Sequence, residues 1–149
     1  MTERTLSYYP GCSLEGTASE FDVSARALCR AMGIRLEELP DWSCCGASSA
    51  HRTDHQLSLD LPGRNLDIAA EIGHDVLVPC AACYNRLKTA QTHRGGGGPR
   101  IMNLLQLLAE PQTTRALRDA LVRPLADLPV VAYYGCLLTR PTAATGSPT

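Results

Sequence analysis

The residues best suited to chemistry are the seven cysteines, at positions 12, 29, 44, 45, 80, 83 and 136 of a chain of 149 residues. Cys80 and Cys83 form a C-x-x-C at the expected start of a helix. That spacing puts both sulfurs on one face, and the helix N-terminus lowers their pKa toward the thiolate. Such a pair is a metal half-site or a dithiol redox couple. Cys44 and Cys45 are adjacent, and neighbouring side chains point apart, so one small ion takes both awkwardly. A multi-iron cluster is wide enough to take both, each on a different iron or one as a bridge. Cys12 adds a fifth thiol at a strand-end turn, where ligands of an α/β sheet gather. The set reads C-x31-C-C-x34-C-x-x-C. Five thiols exceed the four tetrahedral ligands that close a structural zinc site, so iron–sulfur is favoured, with zinc and a dithiol redox pair as rivals. Gly11, Gly46, Ala47, Ala81 and Ala82 leave room for a bulky inorganic core and aim N–H groups at its sulfides. Cys29 lies on an apolar helix face and reads as a small core hydrophobe.

The other polar candidates carry weaker signals. His51 and His55 stand four apart without the rest of a zinc signature and read as a solvated face. His74 reads as a loop residue and His93 as a helix-end one. Trp42 and Tyr84 either shield the cysteine site from water or serve as ordinary core aromatics. Arg86 and Lys88 read as solvated, with offsetting of cluster charge as the alternative. No Ser-His-Asp pattern is supported by spacing.

Composition narrows the classes. Lys+Arg 14 against Asp+Glu 15 leaves a net charge of −1, without the basic surplus of a nucleic-acid binder. Hydrophobic residues at 44% and charged residues at 19% suit a folded domain. No run approaches the roughly 20 apolar residues of a membrane span. The start, Met1-Thr2-Glu3-Arg4-Thr5, shows no secretory pattern, so the expected location is cytoplasmic, where thiols stay reduced. An odd number of cysteines in that compartment fits a disulfide framework poorly.

The elements that must position the thiols follow from periodicity. Leu6–Tyr9 reads as a strand stopped by Pro10-Gly11. Thr17 or Ser19 is expected to cap a helix from about Glu20 to Met32, and Gly33 stops it. Ile34–Leu39 is extended. Residues 47–61 are mixed, and Leu66, Ala69, Ala70 and Ile72 mark a helix closed by Gly73. Residues 75–79 form an apolar strand of the kind buried on both faces of a parallel sheet. Cys80 to about Thr92 is helical, Gly95–Pro99 is a loop, and Ile101–Ala109 and Thr114–Val122 are helical. Pro129–Tyr134 is expected to be a last strand. The fold class is therefore α/β, a mainly parallel sheet flanked by helices, with the cysteines gathered at the strand carboxyl ends.

One echo bears on organisation: Tyr8-Tyr9-Pro10-Gly11-Cys12-Ser13-Leu14 is matched by Tyr133-Tyr134-Gly135-Cys136-Leu137-Leu138. The reading is a first cysteine-rich domain at 5–128, the start of an incomplete second motif at 129–141, and a disordered tail at 142–149.

The strings Tyr-Tyr-Pro-Gly-Cys-Ser-Leu, Trp-Ser-Cys-Cys-Gly and Val-Pro-Cys-Ala-Ala-Cys-Tyr resemble the cysteine-rich CCG family over about residues 5 to 141. The heterodisulfide reductase B-type subunits and their bacterial relatives are the close match. The resemblance implies a non-cubane [4Fe-4S] cluster held by Cys12, Cys44, Cys45, Cys80 and Cys83, with no side chain acting as general acid or base. Cys136 then corresponds to the first ligand of a second motif whose C-C-G and C-x-x-C parts are absent from this sequence. It further implies one-electron transfer and reduction of a disulfide of the coenzyme B–coenzyme M type. The implied partners are a ferredoxin-like C subunit and a flavin-bearing A subunit. Two other readings stand beside it: a non-catalytic iron–sulfur or zinc module, and a truncated, non-functional piece of a two-motif protein.

Overall fold

The structure is a computed structural model that describes residues 4–133 and 135–146; Tyr134 and the side chain of His51 lie outside the described set. Strand β1 (Arg4–Tyr8) leads into a short helix α1 (Gly11–Glu15), then α2 (Ser19–Ala31) and β2 (Ile34–Glu38). Helices α3 (Ala50–Thr53) and α4 (Leu57–Ile72) precede β3 (Val76–Leu77), and α5 (Ala81–His93) precedes β4 (Ile101–Met102). Helices α6 (Leu104–Ala109), α7 (Pro111–Ala120), α8 (Cys136–Thr139) and α9 (Thr142–Thr145) follow.

All described strand pairings are parallel, in the order β2-β1-β3-β4, with Leu6 beside Leu36 and Tyr8 beside Leu77. Alternation along each strand sends successive side chains to opposite faces. Leu6, Tyr8, Leu77 and Met102 join Cys29 and Met32 of the α2 end and Leu107 of α6 in one core. Tyr9, Val76, Val78 and Ile101 join Leu66 and Ala69 of α4 and Leu87 and Ala90 of α5 in the other. Helices thus cover both faces, as an all-parallel sheet requires. Cys29 is fully buried in the first core, as its helix face suggests.

Four expectations are corrected. No side chain caps α2, which starts after Ala18; Glu20 and Asp22 in its first turn face the positive end of the helix dipole instead. Ile101 and Met102 are not helical but form β4, and the helix starts only after Asn103, whose side chain makes a capping box with Gln106. A two-residue apolar step satisfies either periodicity, so the sequence could not separate them. The segment 129–133 forms no strand: Val131 and Tyr133 are 95% and 96% exposed. Its β-branched residues favour extension, but strand structure needs a neighbouring edge to pair with. Within the tail expected to be disordered, residues 142–145 form α9, which packs on α5 and buries Ala144 and Thr145. Residues 147–149 of that tail lie outside the described set.

The order β2-β1-β3 means that the chain leaves β1 in one direction and returns on its other side. The carboxyl ends of β1 and β3 therefore flank a crevice at a topological switch point, the common ligand site of open α/β sheets.

Candidate metal centre

Each cysteine group follows a different strand of that edge. Cys12 lies on α1, directly after β1. The chain turns there at Gly11, whose φ of +70° suits glycine. A Cβ on Gly11 would lie 2.7 Å from Cys83 Sγ, so the missing side chain is also what lets the turn reach the thiols. Cys44 and Cys45 sit in the loop after β2, ended by Gly46 at φ +73°, where a Cβ would lie 2.9 Å from atoms of both Ala50 and Leu61. Cys80 is the extended N-cap residue of α5, and Cys83 falls in that helix's first turn.

The five thiols divide into two groups. Cys12 and Cys44 are exposed, with sulfurs 4.0 Å apart, and the Gly46 N–H points at Cys44 Sγ from 3.4 Å. Cys45 and Cys83 are each 2% exposed, with sulfurs 3.2 Å apart, and half-buried Cys80 shares a hydrogen bond with Cys83. The vicinal pair thus points two ways, as adjacent residues should. All seven cysteines are free thiols, and the described residues contain no group of three His, Cys, Asp or Glu set to hold a single metal ion. Cys136, exposed on α8, is carried on a turn that Asn85 holds by donating its amide to the carbonyls of Leu137, at 3.0 Å, and Arg140.

Electrostatics separates the inner thiols from one another. The hydrogen bond with Cys83 brings Cys80 down to about 6 against the opposing effect of burial, helped by the N–H groups of Cys83 and Ala82 at the helix start. The same partner, again against burial, brings Cys45 down to about 7, with the Ala47 N–H contributing. Cys83 is pushed well above the usual thiol range by those shared hydrogen bonds and by burial. The sequence expectation that the helix start lowers both C-x-x-C thiols therefore holds for Cys80 and fails for Cys83, because one proton shared among close sulfurs stays on one of them. Burial and the neighbouring Cys44 raise Cys12. Burial alone raises Cys29, outside this group, to about 11.

The loop carrying the vicinal pair is pinned from outside the cysteine set. Asn65 of α4 is fully buried; its Oδ1 accepts from the Ser43 N–H at 2.9 Å and its Nδ2 donates to Ser43 O at 2.9 Å and Leu61 O at 3.2 Å. The Tyr9 hydroxyl donates to the same Ser43 carbonyl at 2.8 Å, and Trp42 packs edge-on against the Tyr9 ring at 5.3 Å. Arg64 donates to Asp41 O at 2.6 Å and pairs with the Asp41 carboxylate. Asn65 went unnoticed in the sequence, yet a signal existed: it falls on one helix stripe with Leu61, Ile68 and Ala69, where an asparagine is out of place unless its amide has partners. Trp42 stands beside the site as expected, while Tyr84 is a fully buried core residue. Arg86 and Lys88 are half-buried, not solvated, and Lys88 donates to Gln91 at 3.1 Å; His55 is exposed, as expected.

The cysteine-rich domain model of the CCG family matches residues 6–88, the stretch holding all five thiols. The chain belongs to the CCG cysteine-rich family. Its relatives include the 8-methylmenaquinol:fumarate reductase membrane anchor subunit of Wolinella succinogenes, 32% identical over 97% of this chain and 56% of that protein. The B-type subunit of the ferredoxin/F420H2-dependent CoB-CoM heterodisulfide reductase of Methanosarcina acetivorans is 23% identical over 92% of this chain and 52% of that protein. A protein of Archaeoglobus profundus that is named as like the heterodisulfide reductase B-type subunit is 31% identical over 61% of this chain and 30% of that protein. The CCG chain described here spans about half the length of the first two of these curated relatives. Family and donor set together support iron–sulfur electron transfer as the general chemistry. No described helix is long and apolar enough to cross a membrane.

Proposed function

We propose that this CCG chain is the iron–sulfur part of a heterodisulfide-reductase-like complex, in which Cys12, Cys44, Cys45, Cys80 and Cys83 hold a non-cubane [4Fe-4S] cluster. The observation that carries this reading is the meeting of thiols from three strand ends, with Cys12–Cys44 at 4.0 Å and Cys45–Cys83 at 3.2 Å. The residues fit such a group: the donors are all soft thiols, and glycine stands where a Cβ would crowd Cys83.

When bound, the cluster would supply one-electron steps for reducing a disulfide or related sulfur substrate. The chain's own residues do the rest. Cys45, Cys80 and Cys83 anchor the buried side, and N–H groups of Ala47, Ala82 and Cys83 favour thiolate there. Tyr9 and Trp42 wall that side from water, while Cys12 and Cys44 leave the outer side open to a small sulfur substrate. No side chain here needs to move a proton. A ferredoxin-like C subunit and a flavin-bearing A subunit, in the cytoplasm, are the partners this reading names. Residues 5–128 form its cysteine-rich domain. Residues 129–141 open a second motif: Cys136 begins the one-turn helix α8 directly after Gly135, as Cys12 follows Gly11 at the start of α1.

Anaerobic purification tests the proposal. The protein should be brown and carry about four iron and four acid-labile sulfides per chain, with cluster signals by EPR. Stoichiometric zinc without sulfide overturns it. A second reading is favoured by the match to the quinol-linked fumarate reductase subunit, 32% identical over 97% of this chain: the same centre would pass electrons from a quinol to a partner reductase. Oxidation of the reduced cluster by a small organic disulfide, and not through a quinol-coupled partner, distinguishes the first reading from the second.

A further inference from the structure

The C-C-G loop must solve a geometric problem, since two adjacent thiols have to serve different neighbours reproducibly. The two peptide planes flanking the Ser43 Cα are both fixed. The plane before it is held through the Ser43 N–H, which donates to Asn65 Oδ1 at 2.9 Å. The plane after it is held through the Ser43 carbonyl, which accepts from Asn65 Nδ2 at 2.9 Å and from the Tyr9 hydroxyl at 2.8 Å. Only one orientation of the amide satisfies one donor and two acceptor carbonyls, so its oxygen and nitrogen are assigned by the network. Asn65 is fully buried on a helix stripe, and no sulfur lies among its hydrogen-bond partners.

We propose that Asn65 is a positioning residue which, with Tyr9, clamps the Ser43 peptides and thereby sorts the vicinal thiols, Cys44 outward to Cys12 and Cys45 inward to Cys83. A change of chain direction at Ser43–Cys44 would re-aim both sulfurs, and the clamp on the Ser43 N–H and carbonyl opposes it. The sorting stands on geometry; its consequence for a cluster rests on the iron–sulfur reading above.

The test uses the reduced, iron-free full chain and dibromobimane, in which two thiolates each displace a bromide and so become joined, followed by peptide mapping. In the native chain the product joins Cys12 to Cys44, with Cys45 protected. In Asn65→Ala the Cys12–Cys45 product rises about tenfold, the scale set by losing one or two buried hydrogen bonds. Asn65→Asp keeps the acceptor for the Ser43 N–H and loses the donation to its carbonyl, so it shows the same exchange in smaller measure. Tyr9→Phe removes only the hydroxyl and covers the case in which the Asn65 variants do not fold. A lowered melting temperature with unchanged pairing in the folded variants means a purely structural residue and overturns the proposal. After reconstitution with iron and sulfide, the variants shift the EPR signature of the native chain. If the native chain takes up no cluster, the iron–sulfur reading fails while the cross-linking result stands on its own.

Discussion

The outer thiols, Cys12 and Cys44, and the inner ones, Cys45 and Cys83, are chemically the same residue in opposite surroundings. The outer pair is exposed and 4.0 Å apart; the inner pair is 2% exposed and 3.2 Å apart, inside the core that also holds Tyr9, Val78 and Leu87. The inner thiols are therefore part of the packing, and the fold feels their loss. The outer thiols have water on one side and can change partners without disturbing anything behind them. A site built this way has a buried side fixed in the core and a second side that faces solvent.

Labelling of the reduced, iron-free chain with iodoacetamide should split the two groups most widely. Cys12 and Cys44 should react at least about a hundredfold faster than Cys45 and Cys83, because a buried thiol waits for local opening. Equal rates, read by mass spectrometry of the peptides, break the comparison. Cys83→Ala should cost about 2 kcal/mol in urea unfolding, since it opens a small cavity and leaves Cys45 without its hydrogen-bond partner. Gly11→Ala should cost about 1–2 kcal/mol, because φ of +70° strains any residue with a Cβ and this Cβ meets Cys83 Sγ. It should also hinder iron uptake, which binds the outer turn to the inner thiol. Cys44→Ser should leave stability within about 0.5 kcal/mol, as exposed substitutions do, while lowering iron content.

The smallest effect serves as a control at the other end of β1. Glu110 pairs with Arg4 and Arg100; although burial opposes it, those two guanidiniums hold its carboxyl below the usual range. A carboxyl lowered by folding contributes stability that is complete above its unfolded pKa and lost as pH falls through the folded one. The partner arginines are partly solvated, so this amounts to less than about 1 kcal/mol. Acidification followed by circular dichroism should show this loss in the native chain and not in Glu110→Gln, with the order of thiol labelling unchanged.

The sequence showed much of this arrangement and missed specific parts of it. Strand β1, helix α2, strand β2 and the C-terminal part of α4 were legible because apolar spacing and glycine stops agree there; Gly73 closes α4 in the left-handed conformation, as expected. Strand β4 was not legible, because Ile101 and Met102 suit a helix equally well and only the neighbouring β3 makes them a strand. The converse held at 129–133, where strand-forming residues lack a paired edge in the described structure. Asn65 was passed over because an asparagine announces nothing until the carbonyl it binds, 22 positions away, is folded beside it.

By itself the sequence determined which thiols are on offer and how they are spaced. Five soft thiols, two of them adjacent, with Gly11 and Gly46 beside the first two groups, are covalent facts that need no fold to be read. Only the tertiary structure decided which thiols meet and which face water. Side-chain partnership depends on parallel strand order, which brings residue 12 to 44 and residue 45 to 83, and on burial, which the chain acquires only when both faces of the sheet are covered.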